Sequence, residues 1–158
     1  MDHADLISGA RYLIRRSELK PKQADLRRAQ SAAYYELFHV LARCGADSLV
    51  GGQGSERSKH AWRQAYRALE HGHAKTQCKQ SSVIKKFPSE VEDFANLFVL
   101  MQGRRHRADY DPHYRTTRSE VTADLDAVKA AIDQFMTVQP KDKRAFATWV
   151  LLKSRPYD

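Results

Sequence analysis

The sequence predicts an all-α protein built as an up-and-down bundle of four or five helices. Glycine and proline are scarce, at 7 and 5 of 158 residues, which favours long regular elements over a turn-rich β fold. Between about Lys22 and Ala46 the apolar residues recur at steps of three and four, the period of one helix face. Ser89 and Thr117 are each followed three residues later by a glutamate, which is the capping-box signature of a helix start.

The first two predicted helices lie on either side of Pro21. The first runs from about Ala4 to Ser17, with one apolar face formed by Leu6, Ala10, Leu13 and Ile14. The second carries two adjacent apolar stripes, and a face that broad predicts packing against more than one neighbour. Its stripes are Leu26, Ala29, Ala33, Leu37, Val40 and Cys44, and beside them Tyr34, Phe38 and Leu41. Gly45 and then the run Gly51-Gly52-Gln53-Gly54 predict its end in a flexible loop.

The middle of the chain gives a weaker pattern and then a strong one. A third helix is expected from near Ser55, fading after Gly72, and Gln80-Ser81-Ser82 is expected to be a loop. This helix would turn Trp62, Ala65, Tyr66 and Leu69 inward. A fourth helix is expected from Ser89, and its nearly continuous apolar run up to Met101 predicts a position at the centre of the bundle. At Gln102-Gly103 the apolar run gives way to basic residues.

The last part of the chain predicts one clean helix and a tail. The capping box Thr117-Arg118-Ser119-Glu120 opens the fifth helix, and Pro140 is expected to stop it. Its apolar stripe is Val121, Leu125, Val128, Ile132 and Met136. A short tail helix with Phe146, Trp149 and Val150 would dock on the bundle. We expect a single domain over 1–158, with a core at 4–137 and a tail at 138–158.

Composition limits the compartments to be considered. No stretch reaches the roughly 20 apolar residues of a membrane-spanning helix. The start, Met1 to Asp5, lacks the features of a signal peptide. Two cysteines, Cys44 and Cys78, do not make a disulfide framework and are expected to act as small buried hydrophobes. We therefore expect a cytoplasmic protein.

The net charge of +8, from 27 Lys and Arg against 19 Asp and Glu, favours a polyanionic partner, above all RNA. Basic and aromatic side chains concentrate between Gln102 and Arg118. Arginine suits bidentate phosphate contact, and tyrosine and histidine stack on exposed bases. The alternative is that these cations only complement a helix end and pair with Asp109 and Asp111. The residues concerned are Arg104, Arg105, His106, Arg107, Tyr110, His113, Tyr114, Arg115 and Arg118.

Two segments together resemble one family. The run from Arg28 to His39, with Ala33-Tyr34-Tyr35 and Phe38-His39, is similar to the second helix of HEPN domains (higher eukaryotes and prokaryotes nucleotide-binding). The run Arg107-Ala108-Asp109-Tyr110, with the arginines before it, resembles the R-x-x-A-D-Y segment of one branch of that family. The order and spacing of the two segments fit over roughly 24–135.

The resemblance implies a helical bundle that forms a homodimer and needs neither a metal nor a cofactor. Many HEPN proteins are metal-independent endoribonucleases, among them toxins of toxin–antitoxin pairs and phage-defence effectors. Their active motif is an arginine followed after four to six residues by a histidine, and five residues separate Arg107 from His113 here. Supporting or RNA-binding roles would then fall to Arg104, Arg105, His106, Asp109, Tyr110, Tyr114, Arg115 and Arg28.

A second class of function stays open. Ala108 stands where nuclease members commonly have a polar residue, and Pro112 disfavours helix at Asp111. The branch with A-D-Y also often lacks the catalytic histidine. These features fit a catalytically silent HEPN bundle that binds nucleotides or proteins, often beside a separately encoded minimal nucleotidyltransferase. Tyr110 or Tyr114 would then be a candidate for nucleotidylation. A purely architectural basic bundle is a third class.

Other motifs are set aside. His60, His71, His73 and Cys78 lack the paired spacing of a structural zinc site. The glycine run at 51–54 lacks the Lys-Ser/Thr of a P-loop. Tyr34, Tyr35 and Phe38 are expected in the core because aromatics at helical spacing are most often core residues.

Overall fold

The computed structural model describes residues 4–16 and 20–155, and every regular element in these two ranges is an α-helix. This confirms the predicted all-α class. In chain order the elements are α1 (Ala4–Arg15), α2 (Gln23–Val50), α3 (Lys59–Arg67), α4 (His71–Cys78), α5 (Ser81–Ile84), α6 (Ser89–Tyr110), α7 (Arg118–Met136) and α8 (Pro140–Leu151). Five of them have 12 or more residues, and α3, α4 and α5 are short.

The centre of the bundle is α2. It packs against α1, α3, α6, α7 and α8, and both of its apolar stripes contribute buried side chains. The expectation that the fourth predicted helix, α6, lies at the centre is wrong. Although α6 is apolar on most sides, Leu97 and Val99 are only half-buried and Leu100 is 48% exposed. One side of α6 therefore remains open to solvent.

An aromatic cluster ties the last three helices together. Phe94 of α6 stacks on Phe135 of α7 with ring centroids 4.5 Å apart, and Phe146 of α8 packs edge-on to both. All three rings are fully buried, and such burial stabilises the fold by about 1.5–3 kcal/mol per side chain. The predicted docking of the tail helix is confirmed, although residues 156–158 lie outside the described ranges.

The predicted third helix is wrong in its extent. The chain forms α3 and α4 as two short helices, Gly72 lies inside α4, and Ser81 and Ser82 belong to α5 rather than to a loop. The inward placement of Trp62 and Tyr66 is also wrong in part, because both are half-buried and α3 has no fully buried residue. Leu69, between α3 and α4, is buried as expected.

Several predicted helix ends differ from the observed ones. Helix α2 continues through Gly45 to Val50, because Gly45 lies in a buried close contact with Leu151 of α8 and does not end the helix. Helix α6 continues past Gly103 to Tyr110. Met136 is 60% exposed while its neighbour Phe135 takes the buried position. Pro140 begins α8 rather than ending α7, since proline fits the first helical position. The predicted first-helix end at Ser17 lies outside the described residues.

The two predicted capping boxes differ in outcome. At Thr117 the box is complete: its hydroxyl accepts from the backbone N–H of Glu120, and the Glu120 carboxylate accepts from the backbone N–H of Thr117. The hydrogen bonds that the Glu120 carboxylate accepts from the Thr117 backbone N–H and from the Thr117 and Thr116 hydroxyls hold the pKa of Glu120 below its usual value. At Ser89 the box is absent, because Pro88 is the N-cap residue and the Ser89 hydroxyl donates to Glu90.

Thr117→Ala should therefore lower the free energy of unfolding by about 1 kcal/mol, since it leaves the backbone N–H of Glu120 in the first turn of α7 without its acceptor. Ser89→Ala is the matched control and should change it by only a few tenths of a kcal/mol. Urea denaturation of both variants measures the difference. Equal losses in the two variants would contradict this account of the helix starts.

Candidate functional site

The basic segment predicted from the sequence is half helix and half turn. Its first part, through Tyr110, is the last two turns of α6, and the backbone N–H of Asp111 still donates to the carbonyl of Arg107. Pro112 and His113 then form a turn, in which Asp111 Oδ1 accepts from the backbone N–H of His113 at 2.9 Å. His113 thus lies in an exposed turn, as the preceding proline predicts.

A buried carboxylate lies beneath this segment. Asp124 of α7 is 4% exposed, forms an ion pair with Arg104 of α6, and accepts a 2.8 Å hydrogen bond from the amide of Gln30 of α2. Gln30, 1% exposed, accepts in turn from the hydroxyl of Tyr114 at 2.8 Å. The hydrogen bonds from Gln30 to Asp124 and from Tyr114 to Gln30 join α7, α2 and the turn after α6. We call these three residues, with Arg104, the Asp124 network.

Two further side chains of α2 hold the turn in place. Arg27 donates to the carbonyl of Asp111, and its guanidinium lies 5.9 Å from the ring centre of Tyr114. Gln23 donates to the carbonyl of Thr116 at 2.9 Å and accepts from the N–H of Thr116 at 3.1 Å. The segment between α6 and α7 is therefore attached to α2 along its length.

The three arginines of α6 have different surroundings. Arg104 is paired with Asp124, as described above. Arg105 approaches Asp109 at 3.6 Å and lies over the rings of Tyr34 and Tyr35, at 5.2 and 5.6 Å from their centres. Arg107 is exposed, contacts the ring of Tyr114 at 5.2 Å, and forms no ion pair with any residue in the described ranges. Arg107 is the α6 arginine available to an anionic ligand.

The remaining predicted residues lie around this end of the bundle. His106 packs against Tyr110, whose ring is 67% exposed, and Asp109 accepts from Ser31 at 3.4 Å. Arg115 is exposed. Arg28 is exposed too, and the structure places its neighbour Arg27 against the turn instead.

Arg107 and His113 share no hydrogen bond or ion pair, although both are described. Tyr114 lies between them, since it follows His113 in sequence and the guanidinium of Arg107 lies over its ring. Sequence reasoning missed Arg27, Gln30 and Asp124, which supply this support. The only signal available was that Gln30 and Asp124 are polar positions within otherwise apolar helix faces.

A second polar cluster lies where α2 meets α4. Tyr34 and His71 Nδ1 share a 2.6 Å hydrogen bond, and His71 stacks on Phe38 with ring centres 4.0 Å apart. Burial raises the pKa of Tyr34, while burial together with Arg105 and His39 lowers the pKa of His71. Both shifts favour the neutral forms of the phenol and the imidazole. Tyr34 is fully buried, which confirms it as a core residue. Tyr35 and Phe38 are half-buried and pack against the edge of the core.

The cysteines and the described histidines form no metal centre. Within residues 4–16 and 20–155 no three His, Cys, Asp or Glu side chains come together as metal ligands would. Burial raises the pKa of the Cys78 thiol to about 12 and also raises that of the half-buried Cys44, so both thiols stay protonated. Cys78 is a small buried hydrophobe as predicted.

The chain is thus an all-α protein with an arginine- and tyrosine-rich end supported by a buried carboxylate. No helix in the described ranges is long and apolar enough to cross a bilayer. No protein-family model matches the chain, and the comparisons with curated proteins and with solved structures give no match either.

Proposed function

We propose that this protein acts on RNA as a metal-independent endoribonuclease, with Arg107 and His113 as its catalytic pair. The observation that supports this most is the availability of Arg107. It is exposed and has no carboxylate partner among residues 4–16 and 20–155, while the two other arginines of α6 are paired. His113 is exposed in the turn next to the Tyr114 ring on which Arg107 lies.

The proposed chemistry is transfer of a phosphoryl group within the RNA strand. The imidazole of His113 takes the proton of a ribose 2′-OH, because histidine exchanges protons near neutral pH. The 2′-oxygen attacks the adjacent phosphorus, and the bond from phosphorus to the 5′-oxygen breaks. The products are a 2′,3′-cyclic phosphate and a 5′-hydroxyl. Arg107 stabilises the negative charge that grows on the phosphorane oxygens, which requires no metal.

We further propose a HEPN-type homodimer, since one histidine per chain cannot hold acid and base in one step. A second copy would supply the acid that protonates the leaving 5′-oxygen. The open side of α6 suits such a contact, because it carries the exposed residues Leu100, Arg107 and Tyr110, which include the site arginine. The half-buried Gly103 lies between Leu100 and Arg107 on the same side, at steps of three and four residues.

A catalytically silent HEPN-like module is the second candidate. Ala108, next to Arg107, is buried and offers no polar group, while the Tyr110 hydroxyl group belongs to a side chain that is 67% exposed. An accessible tyrosine beside basic residues suits nucleotidylation by a partner nucleotidyltransferase. A small nucleotidyltransferase encoded by the neighbouring gene would favour this candidate.

Purified protein incubated with tRNA and a structured messenger fragment in EDTA should cleave the RNA and leave cyclic phosphate ends. Arg107→Ala should slow cleavage by about 10²–10³-fold through loss of charge stabilisation, and His113→Gln by about 10²–10⁴-fold through loss of the proton acceptor. Arg144→Ala, which removes an exposed arginine from α8, is the control and should cleave at the wild-type rate. Cleavage that persists in both site variants, or no cleavage by folded wild type, would contradict the nuclease proposal.

The dimer proposal has its own test in two helical glycines. A Cβ at Gly103 of α6 or at Gly72 of α4 would meet no atom within 4 Å outside its own stretch of helix backbone, so a side chain at either position begins without a clash in the single chain. Sedimentation velocity should show a dimer for the wild type and for Gly72→Glu, and a monomer for Gly103→Glu, because only Gly103 lies on the open side of α6. A wild-type monomer, or a dimer in all three proteins, would exclude this interface.

A further inference from the structure

Helix α3 is a basic surface helix that carries aromatic side chains. Its sequence, from Lys59 to Arg67, contains no acidic residue, and Arg63 and Arg67 are exposed without an ion pair to any described residue. Trp62 and Tyr66 are half-buried. The helix packs chiefly on α2, and Tyr66 packs against the edge of the core, but α3 has no fully buried residue.

The aromatics of α3 continue into a row on α2. Trp62 stacks on Tyr66 with ring centres 5.1 Å apart, and the Tyr66 ring lies edge to edge with His39, nearly parallel to it, with ring centres 6.0 Å apart. His39 is followed by Tyr35 at 6.3 Å, and the guanidinium of Arg105 lies 5.6 Å from the ring centre of Tyr35. We call Trp62, Tyr66, His39 and Tyr35 the aromatic strip. All four rings are half-buried, and the strip ends at α6 beside the basic segment.

Hydrogen bonds fix the strip before any ligand arrives. The Trp62 indole N–H donates to Asp47 at 2.8 Å, and the same carboxylate accepts from Arg57 at 3.0 Å. Arg57 also lies over the Trp62 ring, at 4.8 Å from its centre. At the next step, His39 Nδ1 and the Tyr66 hydroxyl are 2.5 Å apart. A preorganised aromatic surface loses little side-chain freedom when a ligand packs on it.

The charge around the strip is positive. Arg63 and Arg67 flank Trp62 and Tyr66 along α3, and Arg43 of α2 is close enough to the Tyr66 hydroxyl to act on its pKa, although burial prevails and raises that pKa. Rows of aromatic rings bordered by arginines bind single-stranded nucleic acid, because bases pack on the rings while the cations contact phosphates. A duplex, whose bases are already stacked and paired, offers no free base faces to such a surface.

We propose that the aromatic strip binds the unpaired bases of single-stranded RNA, with Arg63 and Arg67 holding its phosphates. The inference rests on the proposed RNA-directed function and adds the substrate class, a single strand held along α3 and α2. Because the strip lies outside the proposed catalytic pair, its role in binding can be measured without cleavage.

The test measures binding of a fluorescein-labelled, fully 2′-O-methylated ten-residue oligouridylate, which lacks the 2′-OH needed for cleavage. Fluorescence anisotropy should show affinity reduced by about 10-fold or more in Arg63→Glu/Arg67→Glu, since phosphate contacts dominate such binding. The matched control is Lys85→Glu/Lys86→Glu, which makes the same change in net charge at exposed positions around the end of α5. It should lose about 3-fold at most, from the general fall in charge.

A second reading reports on the rings themselves. Trp149→Phe leaves Trp62 as the only tryptophan, and binding of the same oligomer should quench its fluorescence. A labelled duplex of the same length should bind more weakly and leave Trp62 unchanged. Equal losses in the two charge-reversal variants, or unchanged Trp62 emission on binding, would overturn the proposal. If binding shows the expected losses and the Trp62 quenching but the protein cleaves no RNA, the result would support the aromatic strip as a binding site and contradict the nuclease proposal.

Discussion

The buried carboxylate of Asp124 is the constraint on which the arginine-rich end of this protein depends. A charge that is almost completely buried must be matched by donors, and here a guanidinium from α6 and an amide from α2 supply them. Gln30 connects Asp124 to the turn, because its amide N–H donates to Asp124 while its amide oxygen accepts from the hydroxyl of Tyr114. Three helices and the turn after α6 are thereby held in one arrangement.

That arrangement divides the basic residues into two groups. Arg104, Arg105 and Arg27 face carboxylates, rings or carbonyls of the protein itself, so they hold the structure together. Arg107, like Arg63 and Arg67 on α3, faces solvent without an acidic partner among the described residues. Helix α2 connects the two regions, since its first half holds the turn and its middle carries His39 and Tyr35 of the aromatic strip. A net charge of +8 alone could not distinguish these roles.

The features that follow local rules could be predicted from the sequence. The long α2 follows from its apolar period, and the start of α7 from the reciprocal bonds of Thr117 and Glu120. The Asp124 network could not be predicted, because its members are about 20 to 90 positions apart and one polar residue on an apolar helix face does not reveal which distant side chains it contacts. The choice between Arg27 and Arg28 depends on helix rotation, which one residue changes by about 100°. Trp62 and Tyr66 have core-like spacing, so only packing reveals their open edges.

The most direct test of the central claim compares Asp124→Asn with Asp126→Asn, two changes of the same kind on one helix. In Asp124→Asn an NH2 group replaces one carboxylate oxygen, so that a donor faces the donor of either Arg104 or Gln30. It should lower the free energy of unfolding by about 2–4 kcal/mol and speed amide hydrogen exchange in residues 104–118. Asp126 pairs with Arg11 at the surface, so its variant should lose at most about 1 kcal/mol and leave exchange in that segment unchanged. Small and equal losses, with exchange in residues 104–118 unaltered in both, would show that the buried carboxylate does not hold this end of the protein.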